Sequence, residues 1–145
     1  MNLIRVVLSL CVLFGTVPAR CTNGMEQGEE ALEWRGQYGG EDAPTAEVIT
    51  HAAAWARLWR RLDKPMPQID LTRNCAVVVF AGLRPTGGYT IEYLDPVMQG
   101  DDLLVRWRVR RPAAGSYVTQ ALARPWKVKV ISRPKGSLRV EQVKD

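Results

Sequence analysis

The sequence predicts an α+β protein that is mostly β, an antiparallel β-sandwich or open barrel with one amphipathic helix. Two observations support this class. Several short segments in the second half of the chain alternate apolar and charged residues, as strands with one buried face do, and Gly-rich or Pro-rich breaks separate them. One earlier segment has helical spacing. The 145 residues, 46% of them hydrophobic and 24% charged, are enough for one globular domain.

Residues 1–19 have the composition of a secretory signal peptide. Arg5 precedes the apolar run Val6–Gly15, and small residues follow up to Ala19. The run is shorter than the roughly 20 residues that a membrane-spanning helix needs. We therefore expect cleavage after Ala19 and an exported protein, periplasmic or secreted; an uncleaved anchor is the alternative.

Removal of this segment leaves two cysteines, Cys21 and Cys75, in a compartment where disulfides persist. A disulfide between them is one expectation. The other is that Cys75, which stands in an apolar run, is a buried free thiol. Cys21 also raises the alternative of a lipid anchor, which would hold the mature chain at a membrane, although Arg20 stands where a lipid-attachment signal has a small residue.

The first structured elements are expected at the end of a flexible lead-in over residues 20–45, which includes a candidate first strand at Ala31–Tyr38. A β-rich domain then spans residues 46–145. Its helix is predicted at Ala52–Leu62, with Thr50 as the N-cap. Apolar residues recur there at helical spacing and are expected to pack on a sheet. This stripe consists of Trp55, Leu58, Trp59 and Leu62.

The remaining elements are predicted to be strands. They are expected at Cys75–Phe80, Tyr89–Leu94, Val105–Arg110, Trp126–Ile131 and Leu138–Val143. If the third adjoins the fourth, five cations share one sheet face, relieved by carboxylates on adjacent strands or by an anionic partner. The alternative is an ordinary solvated face. The cations are Arg106, Arg108, Arg110, Lys127 and Lys129, and the candidate counter-ions are Glu92 and Glu141.

Charge is distributed unevenly along the chain. Residues 20–103 hold 8 basic and 13 acidic side chains, whereas residues 104–145 hold 11 basic and 2 acidic ones. Such asymmetry concerns partners, and export argues against nucleic acid. His51 is the one histidine, so a multi-histidine metal site cannot form. We expect no metal, no cofactor and no catalytic residues, because His51 has no acidic partner nearby in the sequence.

The most informative segment is the loop Gly82–Tyr89, which joins two predicted strands. A simple hairpin needs only a Gly pair, yet here Arg84-Pro85-Thr86 precedes Gly87-Gly88. Pro85 fixes its own φ, and the two glycines permit positive φ. The loop is therefore stiffer than the topology requires. It is not a phosphate-binding loop, because the Lys and Ser/Thr of that motif and its following helix are missing.

This loop resembles the signature of the PrcB family of protease-complex subunits. The residues that carry the resemblance are Gly82-Leu-Arg-Pro-Thr-Gly-Gly-Tyr89-Thr-Ile91, and it extends over Ile49–Val140 to the helix Trp55–Leu62, Pro67-Gln-Ile-Asp70, Val118-Thr-Gln-Ala-Leu122 and Pro125. It implies a PrcB-like domain in residues 46–145. It also implies an exported, non-enzymatic subunit that associates with or stabilises a secreted or periplasmic protease.

A second, weaker likeness is to chagasin-type cysteine-peptidase inhibitors, which present loops at one end of a β-sandwich. Arg84-Pro85-Thr86-Gly87-Gly88-Tyr89 and Arg124-Pro125-Trp126 are similar to two of those loops. Arg84 and Gly87 depart from that family's pattern, and Pro112–Ser116 corresponds only loosely to a third loop. This likeness implies peptidase inhibition as an alternative function. Binding of anionic surface polymers by the basic strands is another.

The residues predicted to contact a partner lie in these two loops. They are Arg84, Pro85, Thr86, Gly87, Gly88, Tyr89, Arg124 and Trp126. Trp and Arg are enriched at energetic hot spots, which singles out Arg84 and Trp126. Alternation along the strand that begins at Trp126 leaves a second interpretation of that residue, packing in the core. The sequence thus predicts a protein-binding module.

Overall fold

A computed structural model describes residues 32–144. The expected signal peptide, its cleavage site, Cys21 and most of the lead-in lie outside the described residues. The described elements, in chain order, are β1 Glu33–Gly36, β2 Thr45–Ile49, α1 Ala52–Arg61, β3 Asn74–Phe80, β4 Thr90–Tyr93, β5 Val97–Gln99, β6 Asp102–Arg110, β7 Trp126–Ser132 and β8 Leu138–Gln142.

The strands form two four-stranded sheets, which confirms the α+β, mostly β class. The first sheet has the order β1-β7-β3-β2, and its pairs are all antiparallel. In the second sheet β6 is central, with β4 and β5 antiparallel along one side and β8 parallel along the other. The β6–β8 pair departs from the antiparallel prediction, because the chain runs through β7 of the first sheet before returning as β8. The sheets do not close into a barrel.

The helix α1 covers one face of the first sheet with the predicted stripe. Trp55, Leu58, Trp59 and Leu62 are all buried, together with Trp126 of β7. The N-cap is His51, in extended conformation and without a side-chain cap hydrogen bond, so the prediction of Thr50 was wrong by one residue. Within residues 32–144, no helix is long and apolar enough to cross a membrane.

The second sheet covers the opposite face of the first. Val77, Val79 and Ala81 point to that side and pack with residues of β4, β6 and β8. Alternate residues of β3 contact the helix layer instead, among them Val78 and Phe80. Since β3 is buried on both faces, it has the continuous apolar run of a strand between two layers.

Two short strands were missed by the sequence analysis. The first residue of β2 falls at the end of the predicted lead-in, and no element was predicted for the rest of β2 or for β5. β2 is an edge strand with four exposed residues, and all three residues of β5 are exposed. Alternation of apolar and polar residues, the signal used for the other strands, is weak where neither face is buried.

The predicted shared face of five cations does not exist, because β6 and β7 lie in different sheets. On the second sheet, Glu92 lies 2.7 Å from Arg108 and 3.3 Å from Arg110, as expected of a counter-ion. On the first sheet, Glu33 of β1 pairs with Lys127 at 2.9 Å and with Lys129 at 3.3 Å. Arg108 and Arg110 therefore share one carboxylate, and Lys127 and Lys129 share another.

Candidate functional site

The two predicted loops are neighbours in the structure. Arg84 and Ala123 form an isolated antiparallel bridge, in which the Arg84 amide donates to the Ala123 carbonyl at 2.8 Å and the Ala123 amide donates back at 2.9 Å. The Ala81 amide also donates to the Pro125 carbonyl at 2.9 Å. We call residues 82–89 and 119–125 together the loop platform.

The tip of the loop is fixed by its two glycines. The buried Gly87 donates its amide to the carbonyl of Thr119 at 2.9 Å. Gly88 has a φ of 82°, and a Cβ there would lie 2.6 Å from Val118 Cγ1. Any other residue would meet both backbone strain and this contact. The expectation of a stiff loop therefore has a packing basis as well as a local one.

The side chain of Arg84 supports the loop from within. Its guanidinium donates to the Ala81 carbonyl at 2.5 Å and lies 5.5 Å from the centre of the Tyr89 ring. Its Nε is buried and has no hydrogen-bond partner among the described residues. The Thr86 hydroxyl is likewise engaged within the loop, with the Gly87 carbonyl at 3.1 Å. Arg84 and Thr86 thus act on loop shape.

Apolar side chains occupy the outer side of the loop platform. Leu83 and Pro85 flank the half-buried Arg84 and are themselves exposed. Leu122 is exposed beside Ala123, which is fully buried. Leu83 is 43% exposed, Leu122 is 59% exposed, and Pro85 is exposed as well. These three residues form an apolar ridge.

The second loop contributes one accessible cation. Arg124 forms an ion pair with Asp42 and is partly exposed. Its amide donates to the Gln37 carbonyl at 2.9 Å, and its carbonyl accepts from the Gly40 amide at 3.1 Å. The segment that follows β1 is therefore bound to the loop platform and supports it.

Trp126 occupies the core. It is 3% exposed, contacts Trp59 edge to face with ring centres 6.1 Å apart, and donates its indole N–H to the Tyr38 carbonyl at 2.8 Å. This is the second of the two interpretations that the sequence left open. The ring therefore packs beneath the loop platform and is not part of its exposed surface.

The one described histidine and the one described thiol differ in exposure. His51 is exposed at the helix start. Cys75 is buried and forms no disulfide within residues 32–144, and burial raises the pKa of its thiol, an effect that the Arg133 charge only partly offsets. The described part of the chain also holds no cluster of three or more His, Cys, Asp or Glu that could bind a metal ion.

Leu83 and Leu122 were not predicted as candidate contact residues. Loop residues were selected by type, and arginine and tryptophan were favoured because they are common at hot spots. The signal that could have found the leucines is the alternation around Arg84 and Ala123, but it becomes readable only when the bridge between the two loops is known.

Comparison with known proteins gives one family. Residues 75–132 match the family described as PrcB C-terminal. The matched range contains the loop platform entirely, whereas the helix and Pro67–Asp70, which were included in the resemblance, lie before it. The likeness to chagasin-type inhibitors is not shown by this comparison. No curated protein and no solved structure shows significant similarity to the chain.

Proposed function

We propose that the chain is an exported, non-enzymatic subunit that binds and stabilises a secreted protease, because residues 75–132 match the PrcB C-terminal family. The loop platform is the proposed contact surface. The observation that carries this proposal is the apolar ridge of Leu83, Pro85 and Leu122, held outward by the bridge between Arg84 and Ala123.

Two properties of the loop platform suit it to protein binding. Its two loops are hydrogen-bonded to each other through Thr119 and Ala123 and to the preceding segment through Asp42, so little conformational entropy is lost when a partner binds. Its ridge is apolar and is bordered by the ion pair of Arg124 with Asp42. An apolar centre with a polar rim is the usual composition of a protein interface.

The proposal changes the roles expected of the predicted residues. Leu83, Pro85 and Leu122 contact the partner directly, and Arg124 lies at the rim. Arg84 and Thr86 hold the loop in shape, since their side chains bond within it. Trp126 contributes only through the core beneath the loops.

Affinity capture from the native envelope tests the proposal. The wild-type chain is expected to retain a peptidase, identified by mass spectrometry, whose activity is unchanged or increased in the eluate. A double variant, Leu83→Ser with Leu122→Ser, is expected to retain at least about tenfold less, because removing two apolar interface anchors costs more than 1.4 kcal/mol. Arg84→Ala should reduce capture less, through loosening of the loop.

Met98→Ser is the matched control for this experiment. Met98 lies in β5, away from the loop platform, and is 59% exposed, the same fraction as Leu122. Its variant should capture the peptidase as the wild type does. Equal capture by the Leu83/Leu122 variant would mean that the platform is not the contact surface.

Peptidase inhibition is the second candidate, and the adjacency of the two loops favours it. Chagasin-type inhibition needs neighbouring loops, and Arg84 and Ala123 are hydrogen-bonded to each other. Titration of the purified peptidase with the chain separates the two functions. Loss of activity at a one-to-one ratio indicates an inhibitor, whereas full activity with a longer half-life indicates a stabilising subunit.

A further inference from the structure

The strand β1 has an open edge whose chemistry differs on its two sides. β1 is the first strand in the order β1-β7-β3-β2, so β7 is the one strand among residues 32–144 that pairs with it. The Val130 amide donates to the Leu32 carbonyl at 2.9 Å, which makes Leu32 and Val130 a hydrogen-bonded pair. Such pairs alternate along an antiparallel ladder. The amides and carbonyls of Glu33 and Arg35 therefore point away from β7, toward the open edge.

An aromatic groove lies on one side of this edge. Its volume is about 330 Å³, and it is lined by Trp34, Trp59, Trp126, Pro65 and Pro67, with Lys64 and Arg35 also at its wall. Trp34 is the β1 residue that reaches this side, where it contacts the Trp59 ring edge to face with centres 5.4 Å apart. An apolar side chain from an added strand would enter the groove next to Trp34.

The other side of the edge carries an excess of positive charge. Register places Glu33 opposite Lys129 and Arg35 opposite Lys127, so the four side chains share one face. Glu33 is the carboxylate that both lysines share, and none of the described ion pairs includes Arg35. Three cations and one carboxylate leave this face with two positive charges, which favours acidic residues in an added strand.

We propose that the edge of β1 binds an extended peptide in which apolar and acidic residues alternate, as a further strand of the first sheet. Main-chain hydrogen bonds to Glu33 and Arg35 supply a sequence-independent part of the affinity, and the two sides of the edge read alternate side chains. The apolar residues face the tryptophan groove, and the acidic ones face Arg35. This surface is separate from the loop platform, and the two can fail independently.

A capped peptide of about nine residues, with glutamate and leucine alternating, is the probe, since strands of this length are common. Hydrogen exchange on the chain from residue 20 onwards is the first measurement. The amides of Glu33 and Arg35 should exchange fast in the free chain and slowly with the peptide. The Trp34 amide is the internal control, because it is already paired with β7 and should stay protected in both states.

Three control peptides and two variants sharpen the test. A peptide with its glutamates and leucines in separate blocks, one with lysine replacing glutamate, and one N-methylated at alternate amides should each bind more weakly. Arg35→Glu should weaken binding about fivefold or more through loss and reversal of a charge contact. Arg57→Glu, at an exposed position of α1 off the buried stripe, should bind as the wild type does.

Three results would overturn the proposal. One is equal binding of the alternating and N-methylated peptides, since strand addition requires those amides. Another is slow exchange of Glu33 and Arg35 in the free chain, which would show that earlier residues or a second copy already cover the edge. The third is peptide binding that protects other amides and leaves these two unchanged.

Discussion

The two faces of the first sheet are covered in different ways. On the helix side, four tryptophans pack edge to face with ring centres 5.2 to 6.1 Å apart, and the core around them is apolar. On the other side, aliphatic residues meet the second sheet, while Lys127 and Lys129 stand half-buried at the border with Glu33. We call the tryptophan side the closed face, because its rings are buried apart from the groove beside Trp34, and we call the inter-sheet side along β1 the open side.

This difference changes how the alternation of β7 is interpreted. Lys127 and Lys129 alternate with buried residues, and the sequence therefore predicted that these lysines lie on the outer face of a sheet. The structure places them between the sheets, where their side chains are only 15% and 24% exposed and lie over the Tyr93 ring, at 5.3 and 5.7 Å from its centre. Long cationic stems can cover apolar surface while the charge meets a carboxylate. The lysines that alternate along β7 therefore lie at the border where the second sheet stops covering the first, and not on a fully solvated face.

The largest effect is expected from breaking the closed face. Trp59→Ala removes a side chain that is 2% exposed and contacts three other tryptophans. We expect the free energy of unfolding to fall by about 3–5 kcal/mol, the usual cost of such a cavity. Urea unfolding measures it. Arg60→Ala, exposed on the same helix, should change the value by less than about 0.5 kcal/mol; equal losses in both would mean that the cluster is not a stabilising core.

The next effect lies outside both faces, in the loop that follows β3. Gly88→Ala adds a methyl group that meets Val118 at a φ of 82°, whereas Gly115→Ala has a φ of 78° and nothing within 4 Å. We expect losses of about 2–3 kcal/mol and about 1 kcal/mol respectively, since both pay left-handed strain and only Gly88 pays a clash. The difference, read from thermal unfolding, measures how tightly the loop platform is packed. Identical losses in the two variants would mean that backbone strain alone accounts for the effect and that the contact with Val118 contributes nothing.

A smaller effect is expected from the inter-sheet side. The Tyr93 hydroxyl lies 2.8 Å from the Val77 carbonyl and 3.0 Å from the Lys127 carbonyl, which links β4 to two strands of the first sheet. Burial, followed by the nearby Glu33 charge, raises the pKa of this phenol, so it stays a donor. Tyr93→Phe should cost about 1–2 kcal/mol of unfolding free energy. Tyr117→Phe is the control, because Tyr117 is fully exposed and its change should be neutral.

Local patterns determined how much of this architecture was predictable. The helix and the strands β3, β4, β6, β7 and β8 were found because each has a buried face or stripe that repeats at its own period. β1 was found as well, since it lies within the candidate first strand Ala31–Tyr38. β2 and β5 escaped because burial there is too slight to leave a period. The assignment of β6 and β7 to separate sheets was not predictable, since strand order depends on contacts between residues distant in the sequence.

The sequence predicted which loops form the candidate site but not which of their side chains are exposed. The unusual composition of residues 82–89 located the loop, and the similar Arg124–Trp126 segment located its neighbour. Which side chains face outward depended on the bridge of Arg84 with Ala123, a pairing across 39 positions of sequence. Without it, Arg84 was an attractive contact residue. With it, Arg84 supports the loop and the leucines beside it face solvent.

The smallest effect is expected from the ionisation of Glu33 on the open side, and it is measured as a change of stability with pH. Burial raises the pKa of Glu33, but the hydrogen bonds and charges of Lys127 and Lys129 outweigh burial, and the net pKa lies below the ordinary value of 4.5. A carboxyl whose pKa is lowered by folding stabilises the folded state above its unfolded pKa and loses that contribution as the pH falls through the folded pKa. Because Glu33 is about a third exposed, we expect less than about 1 kcal/mol.

Glu33→Gln isolates this contribution from the other carboxyls. Its unfolding free energy should lie below that of the wild type above pH 5 by a constant amount, and the two should converge as the pH falls below about 4.5. Asp95→Asn, at an exposed position after β4, should track the wild type throughout. A gap that persisted unchanged to about pH 3 would show that Glu33 stabilises the border by packing alone. Convergence would show that the charge of Glu33 stabilises the two half-buried lysines on the open side. The tryptophan face is stabilised by apolar contacts instead.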